Sequence, residues 1–277
     1  MLKKILWSSR RIIALARLIV IDGLRRHALI GLILFALAGI TGGLLFFDFI
    51  PREIGRASND FLFSIIYLTG FVFLLFHAVQ VMAWDTERGA LHTYLARPIS
   101  RTEYALALFS GLAALLLLLN LILCGLGWLL LGLIKDSVQA VYFPRLSFSF
   151  FLLAGAGLYC IELIILSVIL LFSSAVRGSF AVLLLTLCYY FICSGLPVVR
   201  ASIKQESGSE AGASDYLLGG LTALFPDFSR LDFKTLAVST DLIPPVNQIV
   251  FSFGFSLFYI ILILWLSCFI YTRRDLH

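Results

Sequence analysis

ALALFSGLAALLLLLNLILCGLGWLLLGLI, residues Ala105–Ile134, contains no Asp, Glu, Lys or Arg and is closed by Lys135 and Asp136. About 20 apolar residues in a helix cross the roughly 30 Å hydrocarbon core of a bilayer, so this stretch reads as a span long enough to tilt or to project from the membrane. Working outward, five further stretches read as spans: Ala28 to Phe47, Phe61 to Ala83, Phe148 to Phe172, Ser179 to Leu196 and Gln248 to Tyr271. Ser179 to Leu196 is the shortest, and an even count of spans depends on it. The whole chain agrees, with 61% hydrophobic and 13% charged residues, against about 45–50% and about 25% in a soluble domain. The expectation is an all-α polytopic membrane protein of six transmembrane helices. No small-residue cleavage site follows the first apolar run, so that run reads as an uncleaved helix and not as a signal peptide.

The basic residues set the orientation. With the N-terminus in the cytoplasm, the cytoplasmic segments hold 13 of the 21 Lys and Arg residues against 5 acidic ones, and the opposite side holds 8 basic and 10 acidic. Both termini are therefore expected inside, in the cell (inner) membrane. The net charge of +5 reads as membrane topology, and nucleic acid is not an expected partner.

Residues 1–27 precede the first span. At about 100° per residue, Leu2, Ile5, Leu6, Ile12, Ile13, Ala16 and Ile19 share one broad face and Lys3, Lys4, Arg10, Arg11 and Arg17 the other, with Trp7 and Leu18 off pattern. A basic amphipathic helix of this kind is expected along the inner membrane surface, in contact with lipid, as an anchor or as one wall of a docking groove. Residues 28–277 form the transmembrane domain. Its extracytoplasmic loop, 197–247, starts Gly/Ser-rich at Lys204 to Ser214, then turns apolar from Tyr216 to Pro226, too short to span and expected to be interfacial or re-entrant.

The cytoplasmic loop 84–104 carries the functional signal. Asp85 and Glu87 precede a short helix with Leu91 and Leu95 four apart on one face. Pro98 stops it, and Ser100 with Glu103 forms a capping box for the next helix. A short helix with charged ends and an apolar face suits a partner's groove. Periodicity alone leaves a solvated connector equally open.

The pattern Asp85-x-Glu87-x-Gly89-x-Leu91, followed by Leu95-Ala96-x-Pro98-Ile99-Ser100-Arg101-x-Glu103-Tyr104, resembles the cytoplasmic loop of ABC-2 type (type-2 ABC transporter) permeases, and in particular the group tied to copper-enzyme maturation and gliding motility. The amphipathic N-terminal helix, the Leu224-Phe-Pro-Asp227 motif before the last span and the terminal Tyr271-Thr-Arg-Arg-Asp-Leu276 are similar too. Ala90 departs from that family, which commonly has Thr after the glycine. The resemblance implies a permease subunit of an ATP-driven exporter, with Asp85, Glu87, Gly89, Leu91, Leu95, Pro98 and Arg101 coupling it to an ATPase. It also implies a second permease copy, in a homodimer or with a related permease. No Gly-x-x-x-x-Gly-Lys-Ser/Thr loop occurs, so ATP is expected on a separate ABC ATPase subunit and no cofactor on this chain, which is not expected to be an enzyme.

Within the spans, Glu162 is the one acidic residue, and an ion there costs about 3 kcal/mol on insertion scales. His77 and Asn120 are the expected neighbours, in a static interhelical hydrogen bond or with a role in gating or in contacting polar substrate. His77 and Glu162 alone would under-ligand a metal, and Cys124, Cys160, Cys188, Cys193 and Cys268 all lie in apolar stretches without ligand spacing, so no metal site is expected. The competing classes are an intramembrane enzyme, either a protease or a lipid-modifying transferase, and a scaffold without transport. An enzyme needs a positioned nucleophile or metal-activated water, for which no paired motif is present.

Overall fold

The computed structural model describes residues 2–25, 28–47, 54–82, 100–137, 146–206, 225–238 and 244–273. Among these the chain is helical and has no strand. In order come α1 (Leu2–Arg25), α2 (Ala28–Phe47), α3 (Ile54–Met82), α4 (Arg101–Ser137), α5 (Phe148–Ala175), α6 (Ser179–Glu206) and α7 (Val246–Arg273). Two 3-10 turns, Phe228–Leu231 and Lys234–Ala237, lie between α6 and α7.

Among the described residues, five helices are long and apolar enough to cross a membrane: Ile54–Met82, Arg101–Asp136, Phe148–Ala175, Ser179–Arg200 and Val246–Arg273. α2 holds a further apolar helical stretch, Ile30–Gly42. The observed helices outrun the apolar stretches most at the start of α3 and the end of α6. α3 begins at Ile54 because its polar first turns are tied down: Ser58 donates to the Ile54 carbonyl and Asn59 Nδ2 to the Lys234 carbonyl, 2.7 Å away. α6 does not stop at Pro197 but continues to Glu206, so the first ten residues of the segment 197–247 are helical. Proline removes one backbone donor, that to the residue 193 carbonyl, and a helix packed among others tolerates the loss.

α4 is the axis of the bundle, with Leu108, Leu112, Leu115, Leu116, Leu119 and Leu123 fully buried. α1 runs beside its first half in the same direction. Arg11 approaches Glu103 at 3.9 Å, Ile19 packs on Gly111 and Gly23 on Leu115, each pair at the same sequence offset. Gly111 permits this closeness, since a Cβ there would stand 2.9 Å from Ile19 Cβ and 3.1 Å from the Ala16 carbonyl oxygen. α1 is thus held lengthwise against the bundle and is not splayed away from it. Ile12, Ala16 and Ile19 lie on its inner side, while Ile13, expected on the same face, is exposed.

α7 packs along α5 and also against α4, burying Ser252, Ser256, Ile260, Ile263, Ser267 and Tyr271. Small residues let helices approach where lipid removes any hydrophobic drive for association. The three serines remain satisfied by donating to carbonyls four residues back. Phe63, Trp128, Phe148 and Phe151 close the other end of the core in a chain of ring contacts 4.9 to 5.3 Å apart.

Candidate functional site

Three polar arrangements interrupt this apolar bundle. The first surrounds Glu162 on α5, which is fully buried. Its Oε2 accepts a 2.5 Å hydrogen bond from Asn120 Nδ2, which also donates to the Leu116 carbonyl at 3.1 Å. Glu162 Oε1 presses on Gly70 of α3, in space a side chain at 70 would fill. Neither Glu162 Oε1 nor Asn120 Oδ1 has a hydrogen-bond partner among the described residues. Folding therefore joins Asn120 and Glu162, from α4 and α5, but does not bring His77 to them. His77 lies two turns beyond Gly70, roughly 10 Å along α3, inside a π-helical segment, Phe73–Ala78, with its ring 5.1 Å from that of Phe73.

The second arrangement is the pair of 3-10 turns. Asp227 caps the first turn by accepting from the Ser229 backbone N–H and hydroxyl at 3.1 and 2.6 Å. Its other oxygen accepts from Arg200 Nη1 at 2.6 Å, with Arg230 at 3.7 Å, while Arg200 Nη2 donates to the Phe225 carbonyl. Burial pushes the Asp227 carboxyl up, but the bonds from Ser229 and Arg200 outweigh it and hold the group below its ordinary value. The turns are seated against the helices: the Leu231 carbonyl oxygen lies on Gly157 of α5, and Ser147 N–H donates to the Ala237 carbonyl at 3.3 Å.

Between these turns and α3, α5 and α6 lies the third feature, a cavity of about 300 Å³. One end is polar, with Ser229, Asp232 and Lys234, whose charged groups pair at 3.2 Å. The other is apolar and aromatic, with Tyr67, Leu158, Ile161 and Tyr190. Ile161 immediately precedes Glu162, so the cavity floor and the buried carboxyl share one turn of α5. Nothing in the sequence singled out this cavity, because four separate segments build it.

Of the coupling residues, Asp85, Glu87, Gly89, Leu91, Leu95 and Pro98 lie outside the described residues. Arg101 opens α4 and donates to the Tyr271 carbonyl at the end of α7, 3.4 Å away. The Ser100–Glu103 capping box is formed, with Ser100 N–H on Glu103 Oε2 at 3.0 Å and Glu103 N–H on Ser100 Oγ at 3.2 Å. Most of the re-entrant candidate, Tyr216 to Leu224, also lies outside the described residues. No group of three or more His, Cys, Asp or Glu placed to hold a metal occurs among the described residues.

No protein-family model matches the chain, and no curated protein matches it.

Proposed function

We propose that this chain is the permease subunit of an ATP-driven ABC exporter of the ABC-2 type, working with a separate ATPase subunit and a second permease copy. In this reading α2 is the first of six spans, both termini are cytoplasmic in the inner membrane, and the turns after α6 belong to a re-entrant element on the far side. α4 is about 55 Å long at 1.5 Å per residue, against roughly 30 Å of hydrocarbon. In this reading the excess length lies on the cytoplasmic side, where α1 packs beside the first turns of α4.

The observation that carries the reading is the convergence at the start of α4. There the capping box, the Arg11–Glu103 pair and the Arg101–Tyr271 bond tie α1, α4 and α7 together, directly after the segment that resembles a coupling loop. A push on residues 84–100 would reach three helices at once. The test is co-purification. Leu91→Asp with Leu95→Asp is expected to leave the chain inserted and dimeric while abolishing recovery of its ATPase and of ATP hydrolysis, because a partnerless buried carboxylate at each anchor costs several kcal/mol, on the order of the whole contact. Undiminished ATPase recovery by the inserted double variant removes the loop as the coupling element.

A further inference from the structure

We propose that the cavity between α3, α5, α6 and the two 3-10 turns binds a zwitterionic amphiphile, a lipid whose headgroup carries both an ammonium and a phosphate. The inference rests on membrane placement and not on coupling to an ATPase. The cavity is graded from end to end. Asn59 holds the Lys234 backbone at the polar mouth, and Tyr67, eight residues further along α3, lines the floor, which puts the depth at about 12 Å. At the mouth Asp232 and Lys234 present opposite charges 3.2 Å apart, with both side chains partly exposed. Below them Phe63, Leu158 and Ile161 offer only hydrocarbon.

The charge pair selects the ligand. A headgroup with phosphate alone gains from Lys234 but faces the Asp232 carboxylate, and an ammonium alone meets the opposite conflict. A zwitterion laid antiparallel to the pair satisfies both, and this is discrimination by repulsion as much as by attraction. The volume of about 300 Å³ lies at the small end of ligand pockets, roughly 300–1,000 Å³. It accommodates a headgroup and part of one chain, so the rest of the molecule stays in the bilayer.

The test uses the full chain alone, in nanodiscs of phosphatidylglycerol doped with phosphatidylethanolamine that bears a diazirine on one acyl chain. Photolysis is expected to label peptides containing Tyr67, Leu158 or Tyr190. Leu158→Trp, which fills the cavity, should abolish that labelling, and Leu262→Trp on the exposed face of α7 should leave it intact. Lys234→Gln and Asp232→Asn should each lower it about ten-fold, the value of one charge-assisted hydrogen bond. A phosphatidylglycerol probe with the same diazirine should label about ten-fold less. Should Leu158→Trp fail to fold, the two charge variants still decide. Equal labelling by both headgroups, or labelling unchanged in the charge variants, overturns the proposal without touching the transporter reading, which depends on the ATPase experiment.

Discussion

Two carboxylates anchor this molecule in opposite ways. Asp227 stands at the end of the bundle where the turns sit, against Arg200 at 2.6 Å, with two further donors from Ser229. Glu162, deep in α5, meets a single amide, Asn120, and a glycine. Asp227 is mostly buried, with 12% of its side chain exposed, yet every oxygen is used. Glu162 is fully buried and one of its oxygens has no hydrogen-bond partner among the described residues. A site with a full set of partners fixes a loop. A site that leaves acceptors unused at the foot of a cavity keeps capacity to respond to a ligand or a proton.

The largest expected effect tests the seating of the turns. Gly157→Val would drive a side chain into the Leu231 backbone carbonyl, which cannot rotate away. Overpacking costs typically 1–3 kcal/mol, and against backbone the upper end, about 3 kcal/mol, is expected. Thermal unfolding in detergent reads it, and a melting temperature equal to wild type would show that the turns are not held against α5.

Next, Asn120→Ala strips Glu162 of the one donor it has among the described residues and should destabilise by about 1–3 kcal/mol. If it does not, the carboxyl has another partner and the contrast with Asp227 disappears.

Arg200→Met comes third, at about 1–2 kcal/mol, because 24% of the arginine side chain is exposed and solvent screens part of the pair. The same cluster sets a pH dependence. The Asp227 carboxyl is held below its unfolded value of about 3.9. Its contribution is therefore complete above that value and drains away as pH falls through the lower, folded value. Protease resistance of the turns should weaken on acidification below about pH 4 in the wild type, and Asp227→Asn should remove this dependence. An unchanged acid profile in that variant would place the dependence on other groups.

The smallest effect should come from Glu162→Gln, which retains an acceptor and adds donors. Stability within about 1 kcal/mol of wild type and retained transport fit a hydrogen-bonding role. On the proposed transporter reading, loss of transport with normal assembly would instead assign Glu162 a protonation or substrate role.

Much of the helical plan was legible because it depends on local composition. Charge-free runs such as Ala105–Ile134 need no tertiary information to be read as spans, and Ser100 with Glu103 announces the start of α4 three residues apart. The helix ends were less legible. The second span reads from Phe61, but its helix begins at Ile54 with Asn59 bonded to the Lys234 carbonyl, and the span Ser179 to Leu196 belongs to a helix that runs through Pro197 to Glu206. The amphipathic reading of α1 identified an apolar face but not what covers it, since the fit of Ile19 on Gly111 belongs to two helices at once.

Hydropathy and charge in the sequence alone determined that this is a helical membrane protein, because about 20 consecutive apolar residues have few other stable destinations. The sequence also marked Glu162 as a cost to be accounted for. Only the tertiary structure decided that Asn120 and not His77 meets that carboxyl, that Arg200 reaches back to Asp227, and that Tyr67, Leu158, Tyr190 and Lys234 enclose one cavity. These contacts join residues 27 to 167 positions apart, and no periodicity along the chain encodes which faces of separate helices will be pressed together.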